Sequence, residues 1–298
     1  MEREHTMKIL SAACACMLSL SASAAITVQD DDGRPVTLQK PALRVIAMAP
    51  HVTELLYAAG GGAKVVGATD YSDYPEAAKK LPRVGSNREI DMERVLSLKP
   101  DLIVIWQHGN SERQIEQLRA LGIPLFHSEP KKLADIPGSV ERMGKLLGTE
   151  TIANGVANEL RKQLATLKMK YANRPTVRAF YQVWSKPLYT LNGAHIVSDA
   201  LRLCGAENIF ADMKITAPVV GIEAVLQQDP EVLIGTGELK AEGGIGIWQA
   251  YPAMTAVKRG NFLLVDGNLV NRSGPRMIAG AASLCEKLQQ ARQRRPAP

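Results

Sequence analysis

Seven short apolar runs punctuate the chain, at residues 44–49, 64–69, 101–106, 124–128, 177–184, 231–236 and 262–266. Most are rich in Val, Ile and Leu and lack polar alternation. Such runs mark strands of sheets covered on both faces. Between them, helical spacing of apolar residues predicts helices over 53–59, 91–98 and 112–121. Strands that alternate with helices define an α/β fold with mainly parallel sheets.

The middle of the chain has a different rhythm. Apolar residues fall at Ile152, Val156, Leu160, Leu164, Leu167 and Tyr171, a helical period, and Asn173-Arg174-Pro175 stops it. A helix over 150–172 would be a rod of roughly 33 Å, long enough to join two lobes. An internal echo supports two lobes. Glu93-Arg94-Val95-Leu96 leads through Pro100-Asp101 into one strand, and Glu223-Ala224-Val225-Leu226 leads through Pro230-Glu231 into another. The expected organisation is a signal segment at 1–25, an N-terminal α/β lobe at 41–149, the connecting helix at 150–172 and a C-terminal α/β lobe at 173–298. The two similar lobes would face each other across a cleft.

The first 25 residues place the chain in a compartment. Met7-Lys8 precedes an apolar stretch of about a dozen residues that ends in Ser21-Ala22-Ser23-Ala24-Ala25. This is the pattern of a secretory signal peptide, too short for a membrane span. The mature chain would keep Cys204 and Cys285. An even pair in an oxidising compartment points to a disulfide, with two buried thiols as the alternative.

Hydrophobic residues are 46% and charged residues 22% of the 298, which excludes a disordered chain. The net charge of +6 raises nucleic acid as a partner, but the basic residues are scattered. The densest group, Arg292, Arg294 and Arg295, reads as a solvated C-terminal end.

Compact catalytic signatures are absent: there is no G-x-G-x-x-G, Walker sequence, G-x-S-x-G or H-E-x-x-H. Gly60-Gly61-Gly62 follows a helix and reads as its stop. No histidines pair at metal-ligand spacing, so no metal site is expected. His51 and His108 follow strand ends, and His195 stands at a helix start. In open α/β sheets ligands sit at the carboxyl ends of strands. The same loops carry Tyr71, Tyr74, Trp106, Trp184 and Tyr189, and Asn268, Asn271 and Arg272 follow the last strand. Aromatic walls with a few polar groups suit a large, partly flat organic ligand.

Several motifs together resemble the cobalamin-binding proteins of bacterial ABC importers, within the helical-backbone class of metal-chelate receptors. They are Ala49 to Leu55 (APHVTEL), Tyr71 to Pro75 (YSDYP), Glu93 to Trp106 (ERVLSLKPDLIVIW), Gly109 to Gln114, Cys204 to Phe210 (CGAENIF), and Arg272 to Arg276 (RSGPR). The resemblance implies a non-enzymatic periplasmic receptor that captures a corrinoid, holds no cofactor of its own, works as a monomer and delivers its ligand to an inner-membrane ABC permease. Tyr71 and Trp106 match ligand-contacting aromatics of the first lobe, and Asn268 to Arg272 a ligand-contacting loop of the second. Cys204 and Cys285 match the family disulfide. Glu93 and Glu223 match the acids, one per lobe, that dock on the permease.

The pattern is departed from at Asn87, Ala217 and Leu269, where the family has Trp, and at Asn268 and Val270. Trp184 and Tyr189 are the aromatics available to compensate. The competing readings are a receptor for haem or a ferric siderophore held by His51 or His195, and an exported α/β hydrolase-type enzyme.

Overall fold

The structure, a computed structural model, describes residues 25–106, 109, 111–239 and 241–296. The expected signal segment, apart from Ala25, and His108 lie outside these residues. The first half of the chain forms β1 (Ile26–Gln29), β2 (Pro35–Leu38), β3 (Val45–Ala47), α1 (Pro50–Ala58), β4 (Val65–Ala68), α2 (Met92–Ser97), β5 (Leu102–Ile105), α3 (Glu112–Ala120), β6 (Leu125–His127) and α4 (Asp135–Leu147). The 22-residue helix α5 (Glu150–Tyr171) follows. The second half forms β7 (Val177–Tyr181), β8 (Trp184–Ser185), β9 (Leu188–Tyr189), α6 (Ile196–Leu203), β10 (Ala206–Asn208), α7 (Ile222–Gln228), β11 (Val232–Thr236), α8 (Thr255–Lys258), β12 (Phe262–Val265), α9 (Gly267–Val270) and α10 (Met277–Gln293).

Each half builds one parallel four-stranded sheet. The first has the order β4-β3-β5-β6 and the second β10-β7-β11-β12. With the β8-β9 hairpin set aside, both orders read second, first, third, fourth in chain sequence. The Glu-x-Val-Leu echo is therefore a repeat of topology: α2 leads into β5 and α7 into β11, the third strand of each sheet. The apolar runs are legible because these strands are covered on both sides. All four residues of β5 are buried, as are four of the five in β11. Each fully buried aliphatic side chain contributes about 1.5–3 kcal/mol.

Helix α5 packs chiefly on α4 of the first lobe and also touches α6 and α10 of the second. Its buried Ala153, Ala157, Leu160 and Tyr171 face these neighbours, Val156, Leu164 and Leu167 pack half-buried beside them, and most of its other residues are exposed. Among the described residues no helix is long and apolar enough to cross a membrane.

Some elements differ from expectation. The run at 177–184 is not one strand. Strand β7 ends at Tyr181, and Trp184 begins a hairpin in which it pairs with Tyr189. Parallel pairing with β11 stops there, and the chain turns back through Pro187, which has no N–H for a ladder. The β1-β2 hairpin precedes residue 41, yet its Val28, Val36 and Leu38 are buried in the first lobe's core. The C-terminal arginines are not a solvated end. Arg292 is 8% exposed and donates to the carbonyls of Pro175, Cys204 and Gly205, while Arg295 pairs with Glu231. Arg292, in the last turn of α10, and Arg295, just beyond it, reach back onto the second lobe, where loose ends of backbone offer carbonyls. Cys204, at the C-terminal end of α6, and Cys285 on α10 form a buried disulfide.

Candidate functional site

Strand order in each sheet reverses direction at the first strand, and clefts form at the carboxyl ends beside that switch point. A cleft of about 800 Å³ opens there between the lobes. Its first-lobe wall carries Pro50 and His51 after β3, Tyr71 after β4 and Trp106 after β5. Its second-lobe wall carries His195 at the start of α6, Thr236 and Gly237 at the end of β11, and Asp266 to Asn268 with Asn271 to Ser273 after β12. The structure thus brings together Tyr71, Trp106, His51, His195, Asn268, Asn271 and Arg272. It leaves Trp184 and Tyr189 outside the cleft lining: Trp184 is largely exposed and lies against Gly243.

Each wall residue is held by identifiable partners. Trp106 donates from Nε1 to Glu129 Oε1 at 3.0 Å, and His51 meets its ring edge-on, with centroids 5.7 Å apart. Gly109 lies so close to the indole that any side chain there would overlap the ring. Tyr71 is 79% exposed and adopts φ +62°, a backbone region that L-residues seldom occupy. Such strain is kept where surrounding structure enforces it, and it presents the phenol to the cleft. A side pocket of about 280 Å³ continues beneath Tyr71 and Trp106 and is lined in part by Asn87.

On the second wall, Asp266 caps the single turn of α9 by accepting from the Asn268 N–H. The buried Tyr181 hydroxyl donates to Asn271 Oδ1 at 2.8 Å. That leaves the Asn271 amide nitrogen as the donor available to a ligand. Burial holds the Tyr181 phenol well above its usual pKa, so it stays a donor.

The two histidines are neutral and their tautomers are fixed. Burial lowers His51 and His195 to about 4. His195 caps α6 by accepting the Val197 N–H on Nδ1, so its proton sits on Nε2. His51 Nε2 lies 3.1 Å from the Ser128 carbonyl, which only accepts, so Nε2 carries the proton there too. His195 thus spends its lone pair on the helix cap, whereas His51 keeps its lone pair on Nδ1. Among the described residues no group of three or more His, Cys, Asp or Glu is placed to hold a metal ion.

Glu93 and Glu223 are exposed, are not part of the lining, and each stands in the first turn of its helix, α2 or α7. What the residue reading missed is how the two walls meet. Glu54 on α1, with 2% of its side chain exposed, pairs with Arg272 and Arg276 of the second lobe. Those ion pairs link residues more than 200 positions apart, a separation at which local pattern carries no signal.

Two repeated lobes, a connecting helix and a cleft walled by loops from both are the build of a ligand-binding receptor, and the chain belongs to the periplasmic binding protein family, whose model matches residues 45–268. Among its relatives, the vitamin B12-binding protein of Vibrio cholerae serotype O1 is 37% identical over 250 residues, 84% of this chain and 90% of that protein. The crystal structure of the periplasmic vitamin B12 binding protein BtuF of Vibrio cholerae superimposes with a TM-score of 0.80, at 37% identity, covering 85% of this chain and 99% of that one. The periplasmic heme-binding protein RhuT of Roseiflexus sp. RS-1 shares the fold at a TM-score of 0.73 and 22% identity, over 83% of this chain and 98% of that one.

Proposed function

We propose that the protein is a periplasmic, non-enzymatic receptor that binds cobalamin or a related corrinoid between its lobes and hands it to an ABC permease. The observation that carries this reading is the cleft itself. It combines a large volume, a Tyr71–Trp106 aromatic wall and an opposite wall that includes the Asn268 and Asn271 amides, in a chain 37% identical to a vitamin B12-binding protein.

A corrinoid offers a broad apolar ring and a fringe of amides. Aromatic faces supply apolar contact, and the Asn268 and Asn271 amides suit the fringe. Arg272 lines the cleft, but its guanidinium is already paired with Asp73, which leaves little excess charge for an anionic ligand. Glu93 and Glu223, one on each lobe, are the acids we assign to permease docking, and the receptor acts as a monomer.

Calorimetric titration of the mature protein with cyanocobalamin, and in parallel with haemin, tests the reading. One-to-one corrinoid binding at submicromolar affinity is expected. A haemin signal with no corrinoid heat would overturn the ligand assignment.

A further inference from the structure

Helix α1 carries two residues of different duty on one face. His51 lines the cleft, and Glu54, one turn further on, is turned to the second lobe. The side-chain partners of Glu54 come from that lobe. Arg276 donates from Nη2 to Oε1 at 2.6 Å and from Nε to Oε2 at 3.1 Å, a bidentate fork, and Arg272 Nη1 lies 3.4 Å from Oε1. A carboxylate buried this deeply is costly to leave unpaired, and moving the lobes apart would leave it so.

The same two arginines reach further. Arg272 Nη1 donates to Asp73 Oδ1 at 2.5 Å, and its Nη2 donates to Asn268 Oδ1 at 3.1 Å. The Arg276 guanidinium stacks 3.8 Å from the centroid of the Tyr74 ring. Between them, Gly274 sits against α1 so closely that an added Cβ would lie 3.2 Å from Glu54 Oε2 and 3.5 Å from the His51 carbonyl. The segment 272–276 is therefore a strap seated on the first lobe. It joins α1, the loop that carries Tyr71, and the Asn268 side of the second wall. Paired this way, the Asp73 carboxyl is held below its usual range by the Arg272 hydrogen bond, and the Arg276 guanidinium is raised by Glu54.

We propose that Glu54 is a positioning residue for ligand binding: acting through Arg276 and Arg272, it sets the distance between the two cleft walls before ligand arrives. The lobes are then joined at two separate places. One is α5 with the Asp199–Leu133 N–H bond beside it, and the other is this strap. Ligand does not have to draw the walls together, because Tyr71 and Asn271 are already indexed to each other. Release requires the strap to leave α1.

The test measures lobe separation in the ligand-free full-length mature protein. Spin labels at Gln117→Cys on α3 and Lys258→Cys on α8, both exposed, give the inter-lobe distance by pulsed electron resonance. One narrow distribution is expected for the parent protein. Glu54→Gln, which keeps shape and loses charge, should broaden and lengthen it. Arg276→Gln should do the same, and the double variant should add little, as for two residues acting as one unit. Arg119→Gln, which removes an exposed pair with Glu116, serves as the control for loss of an arbitrary charge. Distributions identical to the parent in folded Glu54→Gln and Arg276→Gln would overturn the proposal, even if melting temperatures fell.

A second readout rests on the corrinoid assignment. Cyanocobalamin affinity should weaken roughly 5- to 100-fold in both variants, with the loss in the dissociation rate. Unchanged affinity in both variants would also overturn the proposal. Failure of the parent to bind cyanocobalamin would strike the corrinoid assignment alone, since the ligand-free distances decide the role of Glu54 separately.

Discussion

The indole Nε1 of Trp106 donates to Glu129 Oε1 at 3.0 Å, so the aromatic wall of the cleft is oriented by a carboxylate that does not line the cleft. One nitrogen and one oxygen turn a rotatable ring into a fixed surface. Trp106→Ala should weaken corrinoid binding by about 2 kcal/mol or more, the size expected of a central aromatic anchor. Glu129→Ala should cost less and through the same ring, so the double variant should be no worse than Trp106→Ala. Calorimetry on the three variants checks this; full additivity would mean that Glu129 acts elsewhere.

Acid should loosen the fold through the two cleft histidines. Their folded pKa values of about 4 lie below the ordinary 6.5, so between those values the unfolded chain binds more protons. Their contribution is fully present above about pH 6.5 and is lost as pH falls towards about 4. Urea midpoints should therefore drop across that window. His195→Asn keeps an oxygen acceptor for the α6 cap and removes one titrating group, so its midpoint should fall less steeply with acid.

Reduction of Cys204–Cys285 should be costly because the bond closes a long loop. With the partners 81 positions apart, the loop-entropy model puts the loss at about 4–5 kcal/mol. The double Cys→Ser variant, unfolded in urea beside the oxidised parent, measures it. The effect should fall on the second lobe, because α6 and α10 both pack there.

Charge reversal at Glu93 or Glu223 should slow association with the permease. Exposed charges of this kind set on-rate and orientation more than final affinity. The on-rates of Glu93→Lys and Glu223→Lys, followed at low and high salt against the permease in lipid discs, should fall at low salt and converge with the parent at high salt. Equal on-rates at low salt would remove the docking assignment.

Much of this architecture is legible in the amino-acid pattern, for a physical reason. Parallel strands buried on both faces leave uninterrupted apolar runs, and Leu102–Ile105 is such a run with every side chain buried. The helix Glu150–Tyr171 shows its period because only one stripe of it meets other elements. The β1-β2 hairpin is harder, since each strand has four residues and buries only one or two of them. Its signal was the Asp32-Gly33 turn between alternating runs. Helix α10 hides for another reason: it buries a single face, but Gly280, Ala281, Cys285 and Ala291 are small members of that stripe and mark the period weakly.

The cleft was legible in part. Strand-end residues such as Trp106 and His51 follow from the rule for open sheets, which locates a site without naming its depth. The same rule misled for Trp184, because the run that carries it outlasts the strand. Glu54 and Arg276 could not be paired from local pattern, since their bond depends on how two independently built lobes come to rest.

Neither sheet borrows a strand from the other lobe. Every pairing of the first sheet is possible once the ribosome has passed residue 127, and every pairing of the second involves chain made later. The order of synthesis is then an order of assembly, with short-range pairings closing as they emerge. A nascent chain halted in α5 already contains all the strands of its first sheet, and it would be recognised by limited proteolysis as a protected fragment ending near that helix.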